Sequence, residues 1–352
     1  MTNRDDVIHS MSTFTIMWRS VSTLLIAAML SASCDGAAPG SRVSRIRQRG
    51  SLVCGVFPGI AGFARVDGQG HYTGFDVDIC RAVAAAILGS AERIRYQPVA
   101  TIDLFQRSSD IDIVSRRLTW SLRREGLHVL FGPVTFYDGQ GFLVPGRAKI
   151  DHVTELAGVP VCVAEGSEHD VTLIAYFRRH QIALDRVGVA DGAAGGRALA
   201  EGRCQALSAD VSELASVRST MEDPRGFSIL ADRISQEPLA QLVRQEDVDL
   251  FNVLRWTVFA MIAAEELGVT SANVSEMASR DDPTIARLLG ASGGNGAALG
   301  LDEAWARHVI TDVGNYGEVF ERNLGTSTPI GMERGLNALW TRGGLLFAPP
   351  LK

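Results

Sequence analysis

Between Leu52 and Leu88 the hydrophobic period of the chain changes, and this change restricts the fold more than any other feature. LVCGVF is an apolar run of strand length, PGIAGF a glycine-rich turn, and HYTGFD a second extended run. VDICRAVAAAIL then repeats Ile79, Val83, Ala86 and Ile87 at helical spacing and stops at Gly89. Asp76 and Asp78 fall at the entrance of this helix. There a carboxylate accepts free backbone N–H groups and meets the positive end of the helix dipole, so the pair requires no catalytic role.

The alternation continues. RIRYQPV reads as a strand, TIDLFQR as a short helix, DIDIVS as a strand, RRLTWSLRREG as a turn and YDGQGFLVP as a strand. A second unit begins at ELAGVPVCVAEGS, continues through the helix DVTLIAYFRRHQ, and reaches ALAEGRCQALSADVSEL as helix, strand and loop. ISQEPLAQLVRQ returns, DLFNVLRWTVFAMIAAEELG is an amphipathic helix, and helix and loop fill the rest. The fold class is therefore α/β with largely parallel sheets. Two similar units, the second entered after Tyr137 and left near Pro238, predict two lobes joined by two crossing strands. Lobe 1 takes residues 45–138 plus 241–352 and lobe 2 takes 139–240, with a hinged cleft between them.

The first 33 residues read as an export signal. Arg19 precedes an apolar stretch from Val21 to Leu30, too short to span a bilayer and ending in small residues; Met11 is an alternative start. Two outcomes stay open: cleavage and lipidation at Cys34, or ordinary cleavage after Ser33 or Ala38. Residues 34–44 then form a tether, and the destination is the periplasm, free or lipid-anchored. Cys54, Cys80, Cys162 and Cys204 remain, an even set in an oxidising compartment, which favours disulfides. No C-x-x-C or H-x-x-x-H spacing supports a metal site. A net charge of -6 without a basic stripe argues against nucleic acid as a partner. GNGAALG lacks the preceding strand of a dinucleotide loop and no Walker sequence occurs, so no cofactor is expected and ATP hydrolysis would belong to partner subunits.

GFDVDICRAVAAAI follows the pattern glycine, large apolar, acid, apolar, acid, apolar helix. In this it resembles the bacterial extracellular solute-binding proteins for polar amino acids, the periplasmic receptors of ABC importers. YDGQGFLV, EPLAQLVRQ, TVFAMIAAEELGVT, GNYGEVFERNLG and RGLNALWTRGGLLFAPP are similar to the general L-amino-acid-binding subfamily and extend the likeness over nearly the whole mature chain. The resemblance implies a two-lobed periplasmic-binding-protein fold of type II. It further implies a receptor that closes over an L-amino acid and delivers it to an ABC permease, without enzymatic activity; a monomer is expected.

It also implies a binding site. Arg124, five residues after Thr119, would take the α-carboxylate bidentately, with Arg116 and Arg123 as near rivals. Backbone N–H groups of Gly166, Ser167 and Glu168 would assist it where a strand meets a helix. Asp210 would accept the α-ammonium. Phe57, Ile60 and Phe63 of the first loop, with Trp120 opposite, would set side-chain selectivity. The same likeness implies bridges Cys162 to Cys204 and Cys54 to Cys80. The chain departs from the subfamily at Glu168, where a threonine is usual, and at Arg117, where an asparagine is usual; a cross-lobe pair between these two would offset the repulsion of a carboxylate ligand by Glu168. RSSDID shortens the approach to the turn, and Gln205 replaces an aspartate. The alternatives are a same-fold enzyme such as a cyclohexadienyl dehydratase, with Glu165 and Glu168 as its carboxylates, and a ligand sensor without transport.

Overall fold

Two five-stranded sheets organise residues 40–351, which are the residues described by the computed structural model. The expected export signal and Cys34 lie outside the described residues. In the first sheet the strands run in the order Ile94–Pro98, Leu52–Val56, Ile113–Thr119, Glu237–Arg244, Val129–Asp138. In the second the order is Phe227–Ile229, Gln140–Pro145, Ala206–Asp210, Pro160–Ala164, Asp185–Val189. Among the described residues no helix is long and apolar enough to cross a membrane.

Both sheets are mixed rather than largely parallel. Each has two parallel pairings, made by strands linked through helices, and two antiparallel ones. The antiparallel share comes from the crossings, because the chain leaves along Val129–Asp138 and returns along Glu237–Arg244, which must then run oppositely. Residues 237–240, which the sequence places in lobe 2, pair with 134–138 in the first sheet. At the crossing Gln140 N donates to Ser235 Oγ at 3.0 Å. Gly139 lies so close that a Cβ there would stand 2.5 Å from the Ser235 carbonyl oxygen.

The strand Tyr72–Thr73 is short and pairs only with Arg65–Val66, and the helix begins at Phe75. The loop caps it: Phe75 N donates to Gly62 O at 2.9 Å and Asp76 N to Phe63 O at 3.0 Å. The carboxylates of Asp76 and Asp78 are thereby released from capping. Asp76, buried, accepts from Ser115 Oγ at 3.0 Å, and Asp78 accepts from Arg322 Nε at 2.9 Å and Asn323 Nδ2 at 2.7 Å. Asp78 thus ties the C-terminal helix Tyr316–Asn323 to the first sheet's main helix.

That helix, Val248–Glu266 and Trp305–Asp312 cover one face of the first sheet with a continuous apolar core. Phe63, Phe75, Phe136, Tyr316 and Phe320 interlock there at ring separations of 5.3–6.5 Å. The Tyr316 hydroxyl donates to Thr135 O at 2.7 Å, which satisfies the one polar atom of the cluster. Near the crossing, Asn337 accepts from Tyr137 N at 2.6 Å and donates to Tyr137 O at 3.1 Å, so the C-terminal segment grips the outgoing strand.

Two disulfides form with the pairing the resemblance implies, Cys54 to Cys80 and Cys162 to Cys204. Each fastens a strand of one sheet to another element of the same lobe and shortens the loops available to the unfolded chain. Replacing Cys162 and Cys204, 42 residues apart, by alanine should lower stability by about 2–4 kcal/mol, read as a shifted midpoint in denaturant unfolding. An unchanged midpoint would mean that the reduced chain is already held by packing alone.

Candidate functional site

The strand Ile113–Thr119 ends in a bulge that builds one wall of the cleft. Val114 pairs with Leu242 and Leu118 with Ala240, so residues 115–117 stand against Gln241 alone. Sequence reading places a turn from Arg116 onward; the backbone instead continues as an irregular strand, with Arg117 in the left-handed region at φ 55°. Buried Gln241 supports the bulge by donating to Ser115 Oγ at 3.2 Å and Thr135 Oγ1 at 3.0 Å.

The bulge turns Arg117 toward the second lobe. Its guanidinium donates to Ser212 Oγ at 2.7 Å, lies 3.8 Å from Glu213 and sits 5.4 Å from the centre of the Phe63 ring. The expected pair between Arg117 and Glu168 does not form. Glu168 instead meets Arg124 at 3.5 Å, while Arg124 also donates to Thr119 O at 2.9 Å. A charge does offset Glu168 across the lobes, but it comes from the other arginine, because the left-handed backbone aims Arg117 elsewhere. Arg124, Thr119, Trp120 and Glu168 line a cavity of about 610 Å³ together with Gln236 and Glu237.

On the second lobe the loop before helix Glu168–Arg179 is already bonded within itself. Gly166 N donates to Asp170 Oδ2 at 3.0 Å, and Ser167 caps the helix, accepting from Asp170 N at 3.2 Å while its hydroxyl donates to Ala164 O at 2.7 Å. Arg186 completes this unit by pairing with Asp170 at 2.9 Å.

Asp210 ends its strand as expected, and its Oδ1 lies 3.0 Å from His169 Nε2. Burial works to lower the His169 pKa, but the bond to Asp210 and the nearby charges of Glu213 and Glu237 prevail and leave it above the ordinary value. Asp138, at the crossing, accepts from Gly139 N at 2.9 Å and Ser212 N at 3.2 Å; burial and its neighbour Asp210 push its carboxyl up to about 6. His169, Asp138, Ser212 and Glu213 were absent from the sequence-derived site. The first is adjacent to Glu168 in AEGSEHD and was legible in principle, whereas the others depend on how the crossing folds.

The aromatic candidates separate. Phe57 is partly exposed, with the Arg116 guanidinium 5.1 Å from its ring centre, and Trp120, also partly exposed, stacks on Phe131 at 6.2 Å. Ile60 is half-buried against the core. Phe63 is 1% exposed and forms the floor beneath Arg117, not an open wall.

Comparison with known proteins identifies the family. The sequence matches Bacterial extracellular solute-binding proteins, family 3, over residues 52–273. It is 42% identical over 327 residues to the glutamate/glutamine/aspartate/asparagine-binding protein BztA of Rhodobacter capsulatus, covering 92% of this chain and 97% of that one. It is 40% identical over 337 residues to the general L-amino acid-binding periplasmic protein AapJ of Rhizobium johnstonii, covering 94% and 98%. Among solved structures, an ABC transporter periplasmic binding protein from Brucella ovis with glutathione bound superposes with a TM-score of 0.82 at 39% identity, covering 89% of this chain and all of that one. With two lobes, a charged cleft at the strand ends and these relatives, the chain belongs to the bacterial extracellular solute-binding proteins, family 3.

Proposed function

We propose that the protein is a periplasmic receptor that binds an L-amino acid between its two lobes and delivers it to the permease of an ABC importer. What supports this reading is the pairing of opposite charges on the two lobes. Arg124 stands on the first lobe, and Asp210 stands at the end of its strand on the second, as a zwitterion would require. Relatives named for amino-acid binding support it over nearly the full chain.

Glu168 does not block this role. Its side chain is 83% exposed, and an exposed ion pair is worth only about 0–1 kcal/mol. A ligand carboxylate held by the same guanidinium away from water gains roughly 1.5–3 kcal/mol per charge-assisted bond, so the ligand displaces Glu168 from Arg124. Closure has its own contacts: Ala61 N donates to Ser216 Oγ at 3.0 Å and Arg218 to Ile330 O at 2.8 Å, each joining the two lobes. A ligand that bridges the lobes adds to these and populates the closed form, which the permease reads.

No catalytic step is needed. Glu165 and Glu168, the carboxylates assigned to a same-fold dehydratase, are each exposed and each paired with an arginine. The relatives are binding proteins, not enzymes. We read the receptor as a monomer, free in the periplasm or held to the membrane through Cys34. The sensor alternative lacks an observation in its favour.

Calorimetric titration of the mature protein with the twenty L-amino acids should give micromolar or tighter binding. Arg124→Ala and Asp210→Asn should each weaken it by about 100-fold without lowering the thermal midpoint. Full affinity in both variants would overturn the site, and no binding of any amino acid by the native protein would overturn the reading.

The pair of His169 and Asp210 adds a pH dependence. Protonated His169 competes with the ligand ammonium for Asp210, so binding favours neutral His169 and releases a proton. Affinity should rise with pH from the ordinary histidine value of about 6.5 upward through the raised one, by at most about tenfold per pH unit. The rise should vanish in His169→Gln; a slope that persists there would assign it to Asp138 or another group.

A further inference from the structure

We propose that Arg116 determines the specificity of the cleft and that the ligand it selects is an amino acid with a second carboxylate on its side chain, an inference that rests on the receptor reading above. The bulge and the following turn place Arg116, Arg117 and Arg124 close together, whereas an α-carboxylate needs one of them. Arg124 is the one that pairs with Glu168, and it lines the cavity beside the exposed Arg123. Arg117 is committed to Ser212 and Glu213 across the lobes. Arg123, in the same turn, is exposed, so its charge is met by water.

Arg116 differs from all three. It is partly buried, its Nε is shielded from solvent, and among the described residues it has neither a hydrogen bond nor an ion pair. Its guanidinium lies over Phe57, in the first loop where the ligand side chain is expected. Like charges on Arg117 and Arg124 bear on it, and burial holds its pKa below the ordinary value. The counter-charge nearest in effect, Asp76, is bonded to Ser115 and is itself pushed up to about 6 by burial, so it compensates Arg116 weakly at mildly acidic pH. A shielded guanidinium donor without an acceptor is costly to keep. A carboxylate seated over Phe57 would provide the acceptor and balance the three cations. A neutral amide there supplies one acceptor without the charge, and a basic side chain is repelled.

The test is calorimetric titration of the mature protein with L-glutamate, L-glutamine and L-lysine, for the native chain and for Arg116→Gln and Arg116→Lys. The native receptor should bind glutamate about 30-fold or more tighter than glutamine, and lysine not measurably. Arg116→Gln should weaken glutamate far more than glutamine, bringing the two to within about threefold of each other, and Arg116→Lys should keep part of the preference. Native binding of glutamine equal to or tighter than glutamate, or a parallel loss of both in Arg116→Gln with an unchanged thermal midpoint, would overturn the inference and leave the receptor reading intact. Failure of all twenty amino acids to bind would overturn the receptor reading and this inference together.

Discussion

The two chain crossings between the sheets touch one another, and the geometry of the cleft depends on that contact. With a Cβ at residue 139 only 2.5 Å from the Ser235 carbonyl oxygen, the outgoing and returning segments fit side by side only because residue 139 is glycine. Asp138, next in the chain, then accepts from Gly139 N and Ser212 N and so fixes the start of the helix Val211–Ser219 relative to the hinge. Asp210 precedes that helix directly. The position of the carboxylate assigned to the ligand ammonium is therefore set by the crossing and not by its own strand alone.

A second constraint is charge. The cleft gathers Arg116, Arg117 and Arg124 from one short stretch against Asp138, Asp210, Glu168 and Glu213, with His169 beside Asp210. Few of these charges are left to water alone: His169 shares Asp210, Arg117 reaches Ser212 and Glu213, and Arg124 holds Glu168. The pairs differ in worth because they differ in exposure. Arg117 and Glu213 are 14% and 24% exposed in their side chains, so their attraction is screened less than that of Arg124 with Glu168, at 29% and 83%. The interlobe contact at Arg124 is the weaker of the two and the easier for a ligand to replace.

Much of this was legible in the sequence, and the misses share a cause. The helix through Ile79, Val83 and Ile87 and the long helix Val248–Glu266 follow from apolar period, and the disulfide pairs from family likeness. The helix Val211–Ser219 looks like a loop in the sequence because its apolar face is weak and divided: Ala215 joins the core of the first sheet while Leu214 joins that of the second. The strand through Arg116 and Arg117 looks like a turn in the sequence because charged residues interrupt the alternation that marks a strand. In both cases tertiary contact near the cleft overrides local pattern, as expected where a surface serves binding before folding.

Arg117 shows how such a conflict is sustained. An asparagine, usual here by family likeness, takes the left-handed backbone with little strain, whereas a long side chain at φ 55° costs about 1–3 kcal/mol. That conformation persists only if the surroundings repay it, and they do so through Ser212, Glu213 and the face of Phe63. Two of those three partners lie on the opposite lobe. These contacts exist when the lobes are together and are lost when they part, so the contacts, working against the strain, oppose opening. Each 1.4 kcal/mol of such difference moves the ratio of closed to open forms about tenfold. With an arginine at this position, part of the closing force resides in the chain itself, and the ligand has correspondingly less to supply.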